Sequence, residues 1–145
     1  AGVAKDGSFI KSIEEDWDFM WSVNVKGVFL VTQEALRVMG EGKDKVIINI
    51  ASGAGIHGIG DLSIYSATKA AVINFTQSLN DELKDKVRVI TVAPGSTDTK
   101  MFHSLWPSEK ARHTPEQVGE VIYKTITGEI LPDEHFIVDV FYHTR

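Results

Sequence analysis

Two apolar runs of seven residues, Lys45-Val46-Ile47-Ile48-Asn49-Ile50-Ala51 and Val87-Arg88-Val89-Ile90-Thr91-Val92-Ala93, bracket a helical stretch from about Ser63 to Leu83. That order constrains the fold more than any other feature of the chain. Short unbroken apolar runs bounded by charge and glycine are the pattern of parallel strands covered on both faces, since an antiparallel strand with one wet face would alternate. The helical stretch between them carries Ala67, Ala70, Ala71, Ile73, Phe75, Ser78 and Leu79, a stripe whose small members permit close approach to a sheet or partner helix. Strand, helix and strand in this order predict an α/β architecture, whose ligands bind at the carboxyl ends of the strands. Ser52 follows the first run directly, and Pro94-Gly95 breaks the second.

Thirteen residues beyond Ser52 stands Tyr65, and four beyond that Lys69, in Tyr65-Ser66-Ala67-Thr68-Lys69. On a helix this spacing places both side chains on one face. A phenol titrates near ~10 and a lysine near ~10.4, so neither is a base at neutral pH in isolation. An ammonium within ~4–6 Å of a phenol stabilises the phenolate and is expected to lower its pKa toward the operating range. A Tyr and Lys at this spacing are in many helices no more than solvated surface. The strand end before Ser52 and the glycines Gly53, Gly55, Gly58 and Gly60, expected to form a tight irregular loop, place this pair next to a ligand position.

Ser52, Tyr65 and Lys69, with Asn24 in Val23-Asn24-Val25-Lys26-Gly27 and the later Pro94-Gly95-Ser96-Thr97-Asp98-Thr99, resemble the short-chain dehydrogenase/reductase family over residues 1 to about 99. The resemblance implies hydride transfer between NAD or NADP and an alcohol or carbonyl carbon. It gives Tyr65 the role of general acid and base, Ser52 a hydrogen bond to the substrate oxygen, and Lys69 the tuning of Tyr65 and the binding of the nicotinamide ribose. Asn24 would bend its helix and hold a water that links Lys69 to solvent; an Asn capping the second helical segment is the plainer alternative. Pro94, Gly95, the Thr97 backbone and the Thr99 hydroxyl would contact the nicotinamide end, although a Pro-Gly turn after a strand is ordinary in itself. Ala1 and Gly2 resemble the tail of the family's Asn-Asn-Ala-Gly segment and would line the cofactor. Residues 1–145 are therefore expected to be a single partial domain, the second part of a Rossmann-type doubly wound parallel sheet lacking its N-terminal strands. The preceding half is expected as a separate, cleaved or further segment, and the assembly as a homo-oligomer.

One segment imitates the dinucleotide fingerprint. Gly53-Ala54-Gly55-Ile56-His57-Gly58 matches G-x-G-x-x-G after a strand, but that motif needs a helix opening within its glycines and an acidic residue ending a second strand about twenty positions on. Here the helix is expected later, and Asp81 and Glu82 lie inside helical sequence.

Elsewhere, Ser12-Ile13-Glu14-Glu15 reads as a capping box opening a long helix to about Met39, ended by Gly40 and Gly42. From Lys100 to His113 periodicity lapses; by resemblance this is a substrate loop, and Met101, Phe102, Leu105 and Trp106 suit an apolar carbonyl compound or simply pack onto the body. Thr114-Pro115-Glu116-Gln117 opens a helix to about Thr127, and a strand is expected near Phe136 to Phe141. The ending Phe141-Tyr142-His143-Thr144-Arg145 departs from the glycine-rich end common in the family.

Fifteen basic and twenty acidic side chains, with no basic cluster, argue against nucleic acid or an anionic membrane as partner. The absence of cysteine removes thiolate chemistry and zinc-thiolate sites, and the five histidines form no HExxH, so no metal is expected. With no leader-like segment the expected location is cytoplasmic. Ser66-Ala67-Thr68-Lys69 is also an S-x-x-K match, but its companion motifs S-D-N and K-T-G do not occur. The remaining alternative to an enzyme is a half-fold without a cofactor phosphate site, acting as a binding or association module.

Overall fold

The computed structural model describes residues 2–84 and 86–144. Its sheet has three parallel strands in the order β1 (Val46–Ile50), β2 (Arg88–Ala93) and β3 (Ile137–Asp139), with Ile48 opposite Ile90 and Val92 opposite Val138. Helices α1 (Glu14–Trp21) and α2 (Gly27–Met39) precede the sheet; α3 (Gly53–Ile56) and α4 (Ser63–Glu82) connect β1 to β2; α5 (Lys100–Leu105) and α6 (Pro115–Thr127) connect β2 to β3. This is the α/β, Rossmann-like arrangement expected.

The sheet is clothed on both faces. Ile90 and Val92 of β2 pack with Val138 and with Val121 of α6, while Val72 and Ile73 of α4 pack against Ala51. Strand β2, paired on both sides, has five buried residues in six. Strand β1 is an edge. Its first three residues are only half-buried and Ile50 is 40% exposed, so the expectation of burial on both faces fails because β1 has a single pairing neighbour.

A polar network crosses the apolar layers. Thr32 of α2 donates to Asn49 Oδ1 at 3.3 Å, Asn49 Nδ2 donates to Thr76 Oγ1 at 3.0 Å, and Thr76 returns its proton to Val72 O at 2.8 Å. Each buried group thereby has a partner, which is what keeps an Asn tolerable inside β1. The buried residues of α4 are accordingly Ile64, Ser66, Thr68, Lys69, Val72, Ile73 and Thr76. Ala70 and Ser78 of the expected stripe are exposed, because small apolar residues give a weak signal beside buried threonines that bond within the core.

Helix ends differ from expectation in three places. No capping box forms at Ser12; Ile13 occupies the cap position without a side-chain bond, and Glu14, Glu15 and Asp16 fill a first turn where negative charge meets the helix dipole. Gly53–Ile56 is a short helix, capped by Ser52, where an irregular loop is expected. Likewise α5 lies within the expected loop 100–113, capped by the Thr99 hydroxyl. The capping box at Thr114 is present in both its halves. The last strand is shorter than expected, since Val140–Tyr142 tightens into a single turn of 3-10 helix.

Candidate active site

Helix α1 runs into α2 through a wider turn, Ser22–Lys26, in which the Gly27 N–H reaches back five residues to Ser22 O. Such π-type turns inside helices accompany functional sites. Asn24 sits in it, fully buried. Its carboxamide accepts from Val3 N at 2.9 Å and donates to Val3 O at 2.8 Å and to Thr68 Oγ1 at 3.1 Å. The side chain is thus a staple between the N-terminal segment and α4, a role more specific than capping.

Ser52 follows β1 in extended conformation, its hydroxyl accepts the Ala54 N–H at 3.2 Å, and its hydrogen bonding to Tyr65 acts to lower the phenol pKa. Tyr65 lies in the first turn of α4. Gly55 brings α3 onto α4, where a β-carbon would stand 2.6 Å from the Lys69 carbonyl carbon. Lys69 is 5% exposed, donates to Ile50 O at 3.2 Å, and holds its amine 5.7 Å from the centre of the Tyr65 ring. The carboxyl end of β2 closes the group: Gly53 N–H donates to Pro94 O at 2.9 Å, and Ala51 N–H to Val92 O at 2.9 Å.

The electrostatics run opposite to the expected sense for the phenol. Burial pushes the Tyr65 pKa above its usual 10.0, and the Ser52 hydrogen bond offsets this in part. Burial also lowers the Lys69 pKa, from 10.5 to about 8. Lys69 is turned to a backbone carbonyl, and withdrawal from water dominates both groups.

Of the positions expected to meet a cofactor, Ala1 lies outside the described residues. Gly2 is close, since a β-carbon there would be 3.6 Å from both Lys69 Nζ and Asn24 Oδ1. The Thr97 hydroxyl donates to Gly95 O at 3.1 Å, and the Thr99 hydroxyl donates to Thr97 O at 3.2 Å while capping α5. The donor set suits a ribose diol: an ammonium carries three donors, and Lys69 spends one on Ile50 O. Asn24, Ser52, Tyr65 and Lys69 are thus brought together by the Ser22–Lys26 turn, the start of α3 and α4, with Pro94 O bonded to Gly53 N–H beside Ser52.

Three contributors have no role assigned to them by the sequence motifs. Thr68 bonds both Asn24 and Tyr65 O, Gly55 provides the close approach to Lys69, and His113 packs behind Gly95, where a β-carbon would lie 3.3 Å from its Nε2. Only the spacing of Thr68 between Tyr65 and Lys69 hints at the first. A concavity of about 560 Å³ between Trp21, Val25, Phe29, Val72 and Phe75 includes none of the four site residues. Among the described residues no group of His, Asp or Glu could hold a metal ion, and no helix is long and apolar enough to cross a membrane.

Residues 1–110 match the short chain dehydrogenase family model. A 3-oxoacyl-[acyl-carrier-protein] reductase of Thermotoga maritima is 38% identical over 151 residues, covering 90% of this chain and 61% of the relative. An uncharacterized oxidoreductase of Staphylococcus aureus is 39% identical over 114 residues, covering 78% of this chain and 49% of the relative. The chain thus spans about half to three fifths of the curated relatives it matches. Among solved structures, a short-chain dehydrogenase of Burkholderia cenocepacia in complex with NADP has a TM-score of 0.76 at 27% identity, covering 87% of this chain and 55% of that one. A 3-ketoacyl-(acyl-carrier-protein) reductase of Brucella melitensis complexed with NADH has a TM-score of 0.82 at 23% identity, over 97% and 62% of the two chains, and attests the fold.

Proposed function

The chain belongs to the short-chain dehydrogenase family, and from that premise we propose that it carries the proton-handling part of an NAD- or NADP-dependent oxidoreductase acting on a small carbonyl or alcohol substrate. The observation that carries the reading is the contact of Ser52 with Tyr65 beside the buried Lys69 amine. The nicotinamide cofactor, when bound, supplies the hydride.

The residues supply the rest. Tyr65, with its pKa raised, stays protonated through the neutral range, which suits it to donate a proton to a carbonyl oxygen as that oxygen gains negative charge. The same group takes the proton back when the reaction runs toward the carbonyl compound. Ser52 supplies a second hydroxyl at the same oxygen. Lys69 directs its unspent donors to the ribose, and its positive charge stabilises the tyrosinate left after proton transfer. Asn24, its side chain committed to Val3 and Thr68, fixes the wide turn that keeps the α1–α2 junction against Lys69. Gly2, Pro94, Gly95, Thr97 and Thr99 line the nicotinamide end.

Reduction of a panel of apolar ketones with NADH and with NADPH by the full-length protein tests this. Tyr65→Phe is expected to lower turnover by about 10²- to 10⁴-fold, the usual contribution of a positioned acid. Turnover within a few-fold of the parent sinks the reading.

The free edge of β1 and the exposed α2 residues Val31 (71%) and Val38 (82%) support a second reading, that the chain associates with further strands of its fold and with other copies. Unpaired edges recruit partners. Intact mass with light scattering checks it; a stable lone monomer of the chain is the contrary result.

A further inference from the structure

His113 is 3% exposed, lies between the segment Gly95–Asp98 and the chain's last turn, and serves none of the roles above. Its backbone forms a parallel bridge with Thr97: His113 N–H donates to Ser96 O at 3.0 Å and Asp98 N–H to His113 O at 2.9 Å. Its ring backs onto Gly95. On the other side, His113 Nδ1 and Thr144 Oγ1 are 2.9 Å apart, and the same hydroxyl donates to Val140 O at 3.2 Å.

A threonine hydroxyl has one hydrogen: given to Val140 O it leaves Oγ1 to accept from Nδ1–H, and given to Nδ1 it leaves the ring an acceptor there, so the contact stands with either tautomer. Nε2 has no hydrogen-bond partner among the described residues. A proton there would leave a buried N–H facing the Gly95 backbone. Burial, with Arg112 nearby and Asp139 opposing, accordingly holds the His113 pKa below 6.5. Arg112 reinforces the join, its N–H donating to Ser96 O and Ser96 Oγ while its guanidinium lies 4.6 Å over the Phe141 ring.

We propose that His113 and Thr144 form a latch by which the C-terminal turn positions Gly95–Asp98, the segment that receives the nicotinamide end of the cofactor. His113 is a positioning residue, acting through the bridge to Thr97.

The test compares four substitutions in the full-length protein. His113→Asn keeps a donor where Nδ1 stands, and Thr144→Ser keeps the hydroxyl. His113→Gln moves the polar group to the Nε2 side, and Thr144→Val removes the hydroxyl. Amide hydrogen exchange at Asp98 is expected to rise about fivefold in His113→Gln and Thr144→Val, the equivalent of one lost hydrogen bond, and to stay near the parent in the other two. The cofactor arm rests on the reductase reading: affinity for NADH or NADPH falls with the same pattern, while affinity for ADP-ribose, which lacks the nicotinamide, is unchanged. Unaltered exchange at Asp98 in Thr144→Val overturns the latch. So does equal acceleration in all four variants, or a rise spread over the whole chain. A parent that binds no nicotinamide dinucleotide defeats the reductase reading instead, and Asp98 exchange still decides the latch.

Discussion

Gly55 lies flat against the backbone of Lys69, so close that a β-carbon would stand 2.6 Å from the Lys69 carbonyl carbon and 2.8 Å from its oxygen. Backbone cannot swing aside as a side-chain tip can. Gly55→Ala is therefore expected to destabilise the protein by about 3 kcal/mol or more. It is also expected to lower activity by pushing α3, and with it Ser52, off α4. Urea unfolding and turnover check both; an alanine variant as stable as the parent contradicts the packing.

Lys69 should write its burial into the pH dependence of stability. Its folded pKa of about 8 lies below its unfolded value of 10.5, so between these limits the unfolded chain binds more protons. Stability then rises as pH increases through this window. The whole shift corresponds to about 3 kcal/mol. Tyr65 acts oppositely only above 10, where its raised folded pKa holds a proton the unfolded chain has lost. Denaturant midpoints from pH 7.5 to 9.5 are expected to climb for the parent and to lie flat for Lys69→Met, which should also be inactive.

Removing the Asn24 staple should be costly. Asn24→Ala leaves Val3 N–H and C=O and Thr68 without their buried partner and opens a void. A loss of about 3 kcal/mol is expected, from unsatisfied polar groups plus cavity. Proteolysis near Val3 should accelerate in parallel. Protection equal to the parent at that segment would show that the staple does not hold it.

Thr99→Val separates a cap from a ligand contact. The hydroxyl accepts the Phe102 N–H at 3.3 Å, and its loss should cost about 1 kcal/mol of stability. Thr99→Ser should restore it. If Thr99 also meets the nicotinamide, the valine variant shows a raised KM for the cofactor that serine reverses, measurable by steady-state kinetics.

The sheet was legible because β2 is continuous, apolar and ends at Pro94-Gly95, and its burial matches that reading. The Ser52, Tyr65 and Lys69 convergence was legible because helix spacing and a strand end are local signals. What escaped was long-range. Burial of β1 depends on how many strands flank it, which its own residues do not encode. The sense of the Tyr65 shift depends on how much water the folded chain removes, and that outweighs the opposing Ser52 hydrogen bond. His113 and Thr144, 31 positions apart, meet only because β3 returns beside β2.

Ser52 both caps α3 and touches Tyr65, and Gly55 seats that same short helix on α4. The separation of the two hydroxyls is therefore set by a rigid four-residue spacer and owes nothing to the length of the connection that follows. Residues inserted at Gly58 or Gly60, where an added β-carbon meets no atom within 4 Å, would leave that separation intact. A single residue inserted within Gly53–Ile56 would turn the spacer and carry Ser52 out of reach. The connection is free to vary in length on one side of His57 and forbidden to on the other.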